Sequence, residues 1–325
     1  MLAGFALAGV LLAGAVVGGD RAWIWWLTRP GPLPAATAVV VPRGTAANVA
    51  RALQDAGVIA DSRVFRVAAE LSRGDGALHA AEFAFPAHAS LAQVLDVLRT
   101  AHPVQHQLTI PEGLTAHQIA ALLTQAGAAS GPTGKIAEGS MLPQTYDYEL
   151  GTKRSVLVER AQAAMKRVVE AAWAGRAPGL PLESARQAVI LASIVERETA
   201  KPEERPHIAA VYLNRLRRGM RLDADPTVAY AVSDGTGVLD RPLSKADLRL
   251  DDPYNTYRVA GLPPGPICAP GQDSIEAVLH PAASDDLYFV ADGTGGHVFS
   301  RDYAEHDAAV ARWRALNGGA AGKTN

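Results

Sequence analysis

One strand–turn–helix pattern is written twice early in this 325-residue chain, and it constrains the fold more than any other feature. Pro42-Arg43-Gly44-Thr45, Val49-Ala50, Leu53 and Ala56-Gly57 recur as Pro111-Glu112-Gly113, Thr115, Ile119-Ala120, Leu123 and Ala126-Gly127. The offset is 69 residues, becoming 70 after Leu114, which only the second copy has. Each copy predicts a short apolar strand (38–41; 107–110) and a Pro/Gly turn. An amphipathic helix follows, opened by Thr45 or Thr115 as N-cap and closed by glycine. Helical patterns over 62–72 and 90–100, with a strand near 82–85, lie between the copies.

The repeated unit resembles LysM-type modules, which grip N-acetylated glycans; a plain αβ packing unit without a sugar site fits the same residues. Before it, Met1–Gly19 carries no charged side chain, and Trp23, Trp25 and Trp26 follow. About 20 apolar residues span a bilayer core and tryptophans favour its interface, so the expectation is a single N-terminal transmembrane helix. A cleaved signal peptide with Ala13-Gly14-Ala15 as its site is the alternative; five glycines weaken the run as a helix. Arg21 and Arg29 follow the segment and nothing basic precedes it, against the usual charge rule for export. Long domains translocate largely regardless of that rule, and export is the reading preferred here.

Composition narrows the function classes. The net charge of −2 gives no field that would recruit nucleic acid, and the lone Cys268 excludes a disulfide framework or a cysteine zinc site. His207, His280, His297 and His306 lack paired metal-ligand spacing and read as polar or structural residues. Gly293–Gly296 lacks the Lys-Ser/Thr of a phosphate loop, and no serine sits in a G-x-S-x-G elbow. No cofactor and no metal are expected.

The chemistry concentrates in AVILASIVERETAK, Ala188–Lys201, at the end of a helix predicted over 183–199. Glu196 has Ala192, Ser193, Thr199 and Ala200 at three and four residues' separation, and none is a cation. A carboxylate in apolar surroundings keeps its proton to higher pH, as a general acid must. Glu198 has Lys201 at i+3, faces the other side and reads as a charged surface group. Glu196 is therefore the preferred acid, with a solvated helix end as the plain alternative. Later, Asp251–Pro270 is a long Pro/Gly-rich loop holding Tyr254-Asn255-Thr256-Tyr257, with hydroxyls, an amide and flat aromatic faces suited to sugars. Asn214 and Asp225 lie at nearby helix ends, and ordinary turn or capping chemistry is the competing account.

Leu191–Thr199 (LASIVERET), Val211–Leu216 (VYLNRL), Met220–Thr227 (MRLDADPT), YNTY, GLPPGPI, Pro270-Gly271, Ala277–Pro281, Tyr288–Asp292 and Gly296–Ser300 occur in that order. Together they resemble the YceG-like family of endolytic murein transglycosylases. Pro266 and Cys268, where relatives usually carry small residues, depart from the pattern, as does the missing basic N-terminus.

The resemblance implies an enzyme on the outer side of the bacterial cytoplasmic membrane that cleaves MurNAc-β-1,4-GlcNAc bonds within peptidoglycan strands without water. It leaves 1,6-anhydroMurNAc ends and terminates nascent strands. Its acid falls in the VERET box, where the neighbour argument selects Glu196. Asn214, Asp225, Thr227, Tyr254, Asn255 and Tyr257 are expected to line the cleft, Asp225 either as a second carboxylate or as a cap. The expected partners are peptidoglycan strands, the membrane and, further, cell-wall synthases; nucleic acid is not one. A non-catalytic peptidoglycan-binding scaffold for those synthases, and a hydrolytic muramidase, are the alternatives.

The fold expected is α+β, with LysM-like modules and a mostly helical catalytic domain with short strands. Its divisions are a transmembrane anchor (1–27), a linker (28–37), the LysM-like region (38–135), a connecting segment and helix (136–180), the catalytic domain (181–318) and a flexible tail (319–325).

Overall fold

A computed structural model describes residues 21–317. They form two compact units, one of residues 21–106 with Asp147–Gly151, the other of Gln107–Tyr146 with residues 152–317. Both mix helices with two-stranded sheets. Among the described residues no helix is long and apolar enough to cross a membrane. Residues 1–20 of the expected anchor (1–27) and the tail 319–325 lie outside the described residues, whereas 21–27 are helical and bring Trp23 and Leu27 onto the first unit's core.

In the first unit, strands β1 (Thr37–Val40) and β2 (Glu82–Phe85) pair antiparallel, with Thr37 opposite Phe85 and Val40 opposite Glu82. Helices α1 (Ala46–Asp55), α2 (Ser62–Leu71) and α3 (Leu91–Thr100) begin at Thr45, Asp61 and Ser90, whose side chains accept first-turn N–H groups. Ser90 and Gln93 complete a capping box. The apolar stripes meet β2 in one core of Leu53, Phe65, Phe83, Phe85, Val94 and Leu98. Trp23 and Leu27, from a helical turn over residues 21–28, pack against it.

The chain enters the second unit along β3 (Gln105–Thr109), which pairs with β4 (Thr145–Glu149). Then come α4 (Ala116–Gln125), α5 (Arg154–Ala174), α6 (Ala185–Glu198), α7 (Arg205–Arg217), α8 (Asp225–Val232) and α9 (Gln272–Leu279). The hairpin β5–β6 (Tyr288–Ala291, His297–Ser300) and α10 (Tyr303–Asn317) close it. Its core joins Leu191, Ile194 and Val195 of α6, Ile208 and Tyr212 of α7, and Ile275, Val278 and Leu279 of α9.

Both repeat copies make the expected capped helix, Thr115 forming a capping box with Gln118, yet the two helices belong to different units. The reason lies in the second turn, which is tied to later chain. Gly113 N–H donates to Ala269 O (3.0 Å), Ala269 N–H to Leu114 O (2.8 Å), and Ala116 N–H to Glu138 Oε1 (2.9 Å). Gly57 takes the expected left-handed turn (φ +71°), whereas Gly127 is absent from the left-handed glycines.

Helix α9 is capped by Gly271, and Ser274 is fully buried in its first turn. Asp225-Pro226-Thr227 forms the start of α8, because proline's fixed φ and missing N–H suit a first turn.

Candidate active site

Helix α6 puts eight consecutive buried residues, Ala188–Val195, into the second unit's core, which leaves its last turn to emerge at the core's edge. Thr199 is extended (φ −139°, ψ 140°) and Pro202 follows, so the helix stops at Glu198. At 3.6 residues per turn, side chains two apart point about 200° from each other. Glu196 and Glu198 thus serve different surroundings.

Glu196 is enclosed by a polar knot, its side chain only 4% exposed. Its Oε1 lies 3.1 Å from Nη2 of Arg205, the first residue of α7. Its Oε2 accepts the Gly271 N–H at 2.9 Å. Arg205, itself 8% exposed, also reaches Glu112 Oε2 at 3.4 Å. Burial, then the charge of Glu196, push the Glu112 carboxyl above its ordinary pKa, against Arg205. Glycine at 271 lets the Glu112 carboxylate lie against the backbone, since a Cβ there would displace Glu112 Oε1. The expectation that Glu196 has no cation is therefore overturned. Its partner lies nine residues on, across a chain reversal that helix periodicity cannot see.

Glu198 has the environment expected of Glu196. Its carboxyl accepts the hydroxyl of Tyr212 and makes no ion pair among the described residues, Lys201 included. Burial pushes it up to about 7; Tyr212 and Arg215 pull against that, while the charge of Asp225 adds to it. Arg215 lines the same cleft, but its guanidinium is held by Leu287 O (2.7 Å), Leu222 O (2.8 Å) and Asp223 Oδ2 (3.1 Å). Burial and then the Glu198 charge raise the Tyr212 phenol, so Tyr212 is the donor in their bond.

Around this carboxyl a cleft is lined by Tyr212, Arg215, Asp223, Asp225, Tyr257 and Phe289, with His297 at its edge strand. The Tyr257 hydroxyl donates to Asp225 Oδ1 at 2.6 Å, and burial followed by that bond raises its pKa. Asp225 and Tyr257 thus join Glu198, and Asp225 does not cap α8, whose N-cap is Ala224.

The other expected cleft residues have different partners. Asn214 donates to Ser284 O (2.8 Å) and Asp286 O (3.0 Å), pinning the approach to β5. Thr227 is fully buried, donating to Ala224 O (2.7 Å) and meeting Thr256 Oγ1 at 2.9 Å. Asn255, also fully buried, grips Leu248 O and Leu250 O and receives the Tyr257 N–H. It shapes the turn that aims Tyr257. Tyr254 packs on Tyr230 (centroids 4.9 Å) and is not among the residues lining the cleft.

Tyr212, Arg215, Asp223 and Phe289 were not legible as site residues. Tyr212 sits in the apolar helical stripe Ile208, Val211, Tyr212 and Leu216, which reads as core, and only the packing of α7 on α6 turns it to Glu198. No group of three or more His, Cys, Asp or Glu is positioned for a metal ion among the described residues.

Residues 39–312 match the model of the YceG-like family. The chain belongs to that family. A YceG-like protein of Listeria monocytogenes with a crystal structure aligns with a TM-score of 0.51 at 28% identity, covering 85% of this chain and 99% of that one. A Bacillus subtilis protein named endolytic murein transglycosylase is 43% identical over 130 residues, 40% of this chain and 35% of that protein. A Streptococcus pneumoniae protein of the same name is 36% identical over 181 residues, 54% of this chain and 32% of that protein. This YceG-like chain spans about a third of the length of the curated relatives it matches.

Proposed function

We propose that the chain is an endolytic peptidoglycan lytic transglycosylase, with Glu198 rather than Glu196 as its acid. The observation that carries this reading is the enclosed Glu198 carboxyl, raised to about 7, facing a cleft with Asp225 and Tyr257. Glu196 is already bound by Arg205 and Gly271 N–H, which leaves it no free role as acid. Family membership and the names of the two relatives supply the substrate class.

The chemistry follows from one protonated carboxyl. Glu198 gives its proton to the glycosidic oxygen between MurNAc and GlcNAc as the anomeric C–O bond breaks. The substrate's N-acetyl oxygen stabilises the cation left on the anomeric carbon, and the charge of Asp225 lies close by. The C6 hydroxyl of the same MurNAc then closes on that carbon, giving a 1,6-anhydro end. Its proton returns to Glu198, so no water is consumed.

On this reading residues 181–318 hold the catalytic region, with Tyr257 and Asp225 contacting glycan. Met1–Gly19 anchors the chain in the cytoplasmic membrane with its body outside. The units opened by Thr45 and Thr115 hold glycan as LysM-like modules, and release of nascent strands beside the synthases is the role served.

Asp225 in the same cleft favours a second reading, a hydrolytic muramidase, since two carboxylates can activate water. One experiment separates them. Nascent, uncrosslinked peptidoglycan is digested with detergent-solubilised full chain, wild type and Glu198→Gln, and the products are weighed by mass spectrometry. Internal anhydro ends absent with the variant uphold the transglycosylase. Reducing ends establish the muramidase, and intact strands would leave a binding scaffold.

A further inference from the structure

His297, read from sequence as structural, opens strand β6 and lines the same cleft as Glu198. Its Nδ1 lies 2.7 Å from Glu204 Oε2, and its own backbone N–H donates to Glu204 Oε1 at 3.0 Å. A carboxylate can only accept, so in the neutral ring the proton sits on Nδ1, and His297 is one of the residues lining the cleft. The imidazole is held edge-on to Phe289 (centroids 5.2 Å, 89°), which fixes its plane.

Glu204 does more than hold the ring. Its Oε2 also accepts the Thr199 hydroxyl at 3.3 Å, and Thr199 is the residue after Glu198. One carboxylate therefore ties the end of α6 to the start of β6. Burial opposes the charge on Glu204, but the hydrogen bonds from the His297 ring and backbone outweigh it and keep the pKa below the ordinary carboxylate value. Gly296 keeps the approach open: a Cβ there would come within 2.6 Å of Glu204 Oε1 and 2.7 Å of Lys201 Nζ. A carboxylate–imidazole pair whose free nitrogen faces a reacting hydroxyl is the general arrangement for activating that hydroxyl.

We propose that His297, oriented by Glu204, is a second proton-transfer residue of the cleft. This rests on the transglycosylase reading. As the C6 oxygen bonds to the anomeric carbon, Nε2 takes the hydroxyl proton, and the imidazolium beside Glu204 passes it to the Glu198 carboxylate. The proton that Glu198 gave to the leaving oxygen is thereby replaced, and no water or co-reactant enters. The groups facing His297 are Glu198, Asp223, Asp225, Arg215 and Tyr257 across the cleft, with Glu204 behind it and Lys201 and Asp292 beside Gly296.

The test is the turnover of full-length His297→Ala and Glu204→Gln on nascent glycan strands, with and without added imidazole. His297→Ala is expected to lose on the order of 100-fold in kcat with KM little changed, and imidazole to restore part of the rate. Glu204→Gln keeps an acceptor for Nδ1 but loses the charge, and about a tenfold fall in kcat is expected. The inference is overturned if His297→Ala keeps its rate, if only KM rises, or if imidazole fails to restore a folded variant. Should His297→Ala not fold, a Glu204→Gln rate within twofold of wild type overturns it. Anhydro ends from wild type must appear first; without them the transglycosylase reading itself has failed.

Discussion

The guanidinium of Arg205, at the start of α7, lies 3.1 Å from Glu196 Oε1 near the end of α6, giving Glu196 a counter-charge that Glu198 lacks among the described residues. Glu196 is neutralised and enclosed. Glu198, two residues on, has only the Tyr212 phenol as its hydrogen-bond partner among the described residues and lines its cleft.

Exchanging each glutamate for glutamine should therefore separate their roles. Glu198→Gln is expected to lower lytic turnover by on the order of 10²–10⁴, the usual share of general acid–base catalysis. Glu196→Gln should stay within about tenfold of wild type in rate while losing stability, because Arg205 then lacks its closest carboxylate. Measured side by side, the reverse ranking would sink the assignment.

Arg205→Met should destabilise the second unit by about 3 kcal/mol, since it leaves the enclosed Glu196 without its cation. A thermal melt at neutral pH reads this. The double change Arg205→Met, Glu196→Gln should recover part of the loss, as no buried charge then remains unpaired.

The pH dependence has a definite sign. Glu198 rises from an ordinary 4.5 to about 7 on folding, so the folded chain holds a proton that the unfolded chain releases. Its contribution to stability is complete below pH 4.5 and is lost as the pH climbs to 7. The folded chain's protonated acid is lost only as the pH passes through about 7, and turnover should fall about tenfold per pH unit well above that. Glu198→Gln should remove the stability slope, as paired melts between pH 5 and 8 would reveal.

Thr227→Val tests whether a fully buried hydroxyl, expected from sequence to bind sugar, works in the fold alone. The change removes its bond to Ala224 O and leaves Thr256 short of a partner. A loss of about 1–2 kcal/mol with unchanged KM is expected. A raised KM at full stability would return Thr227 to the cleft.

Much of the scaffold was legible because it rests on local rules. Thr45 and Thr115 cap the helices expected after them, and the helical patterns over 62–72 and 90–100 form as Ser62–Leu71 and Leu91–Thr100. Each depends on neighbours within a few residues. The ordered blocks from LASIVERET to GHVFS likewise suffice for the family.

The site itself was legible only in part. Asp225 and Tyr257 reach the cleft as expected, but Asn214 and Asn255 turn their amides to backbone carbonyls, which the type of side chain alone does not reveal. By itself the sequence determined the helix ends, the family and the short stretch Glu196–Thr199 to which the resemblance assigns the acid. Tertiary structure alone gave Glu196 and Glu198 their different surroundings, because the charge state of a carboxyl depends on whatever packs around it. Here those groups, Arg205 for one and Tyr212 for the other, arrive on a different helix.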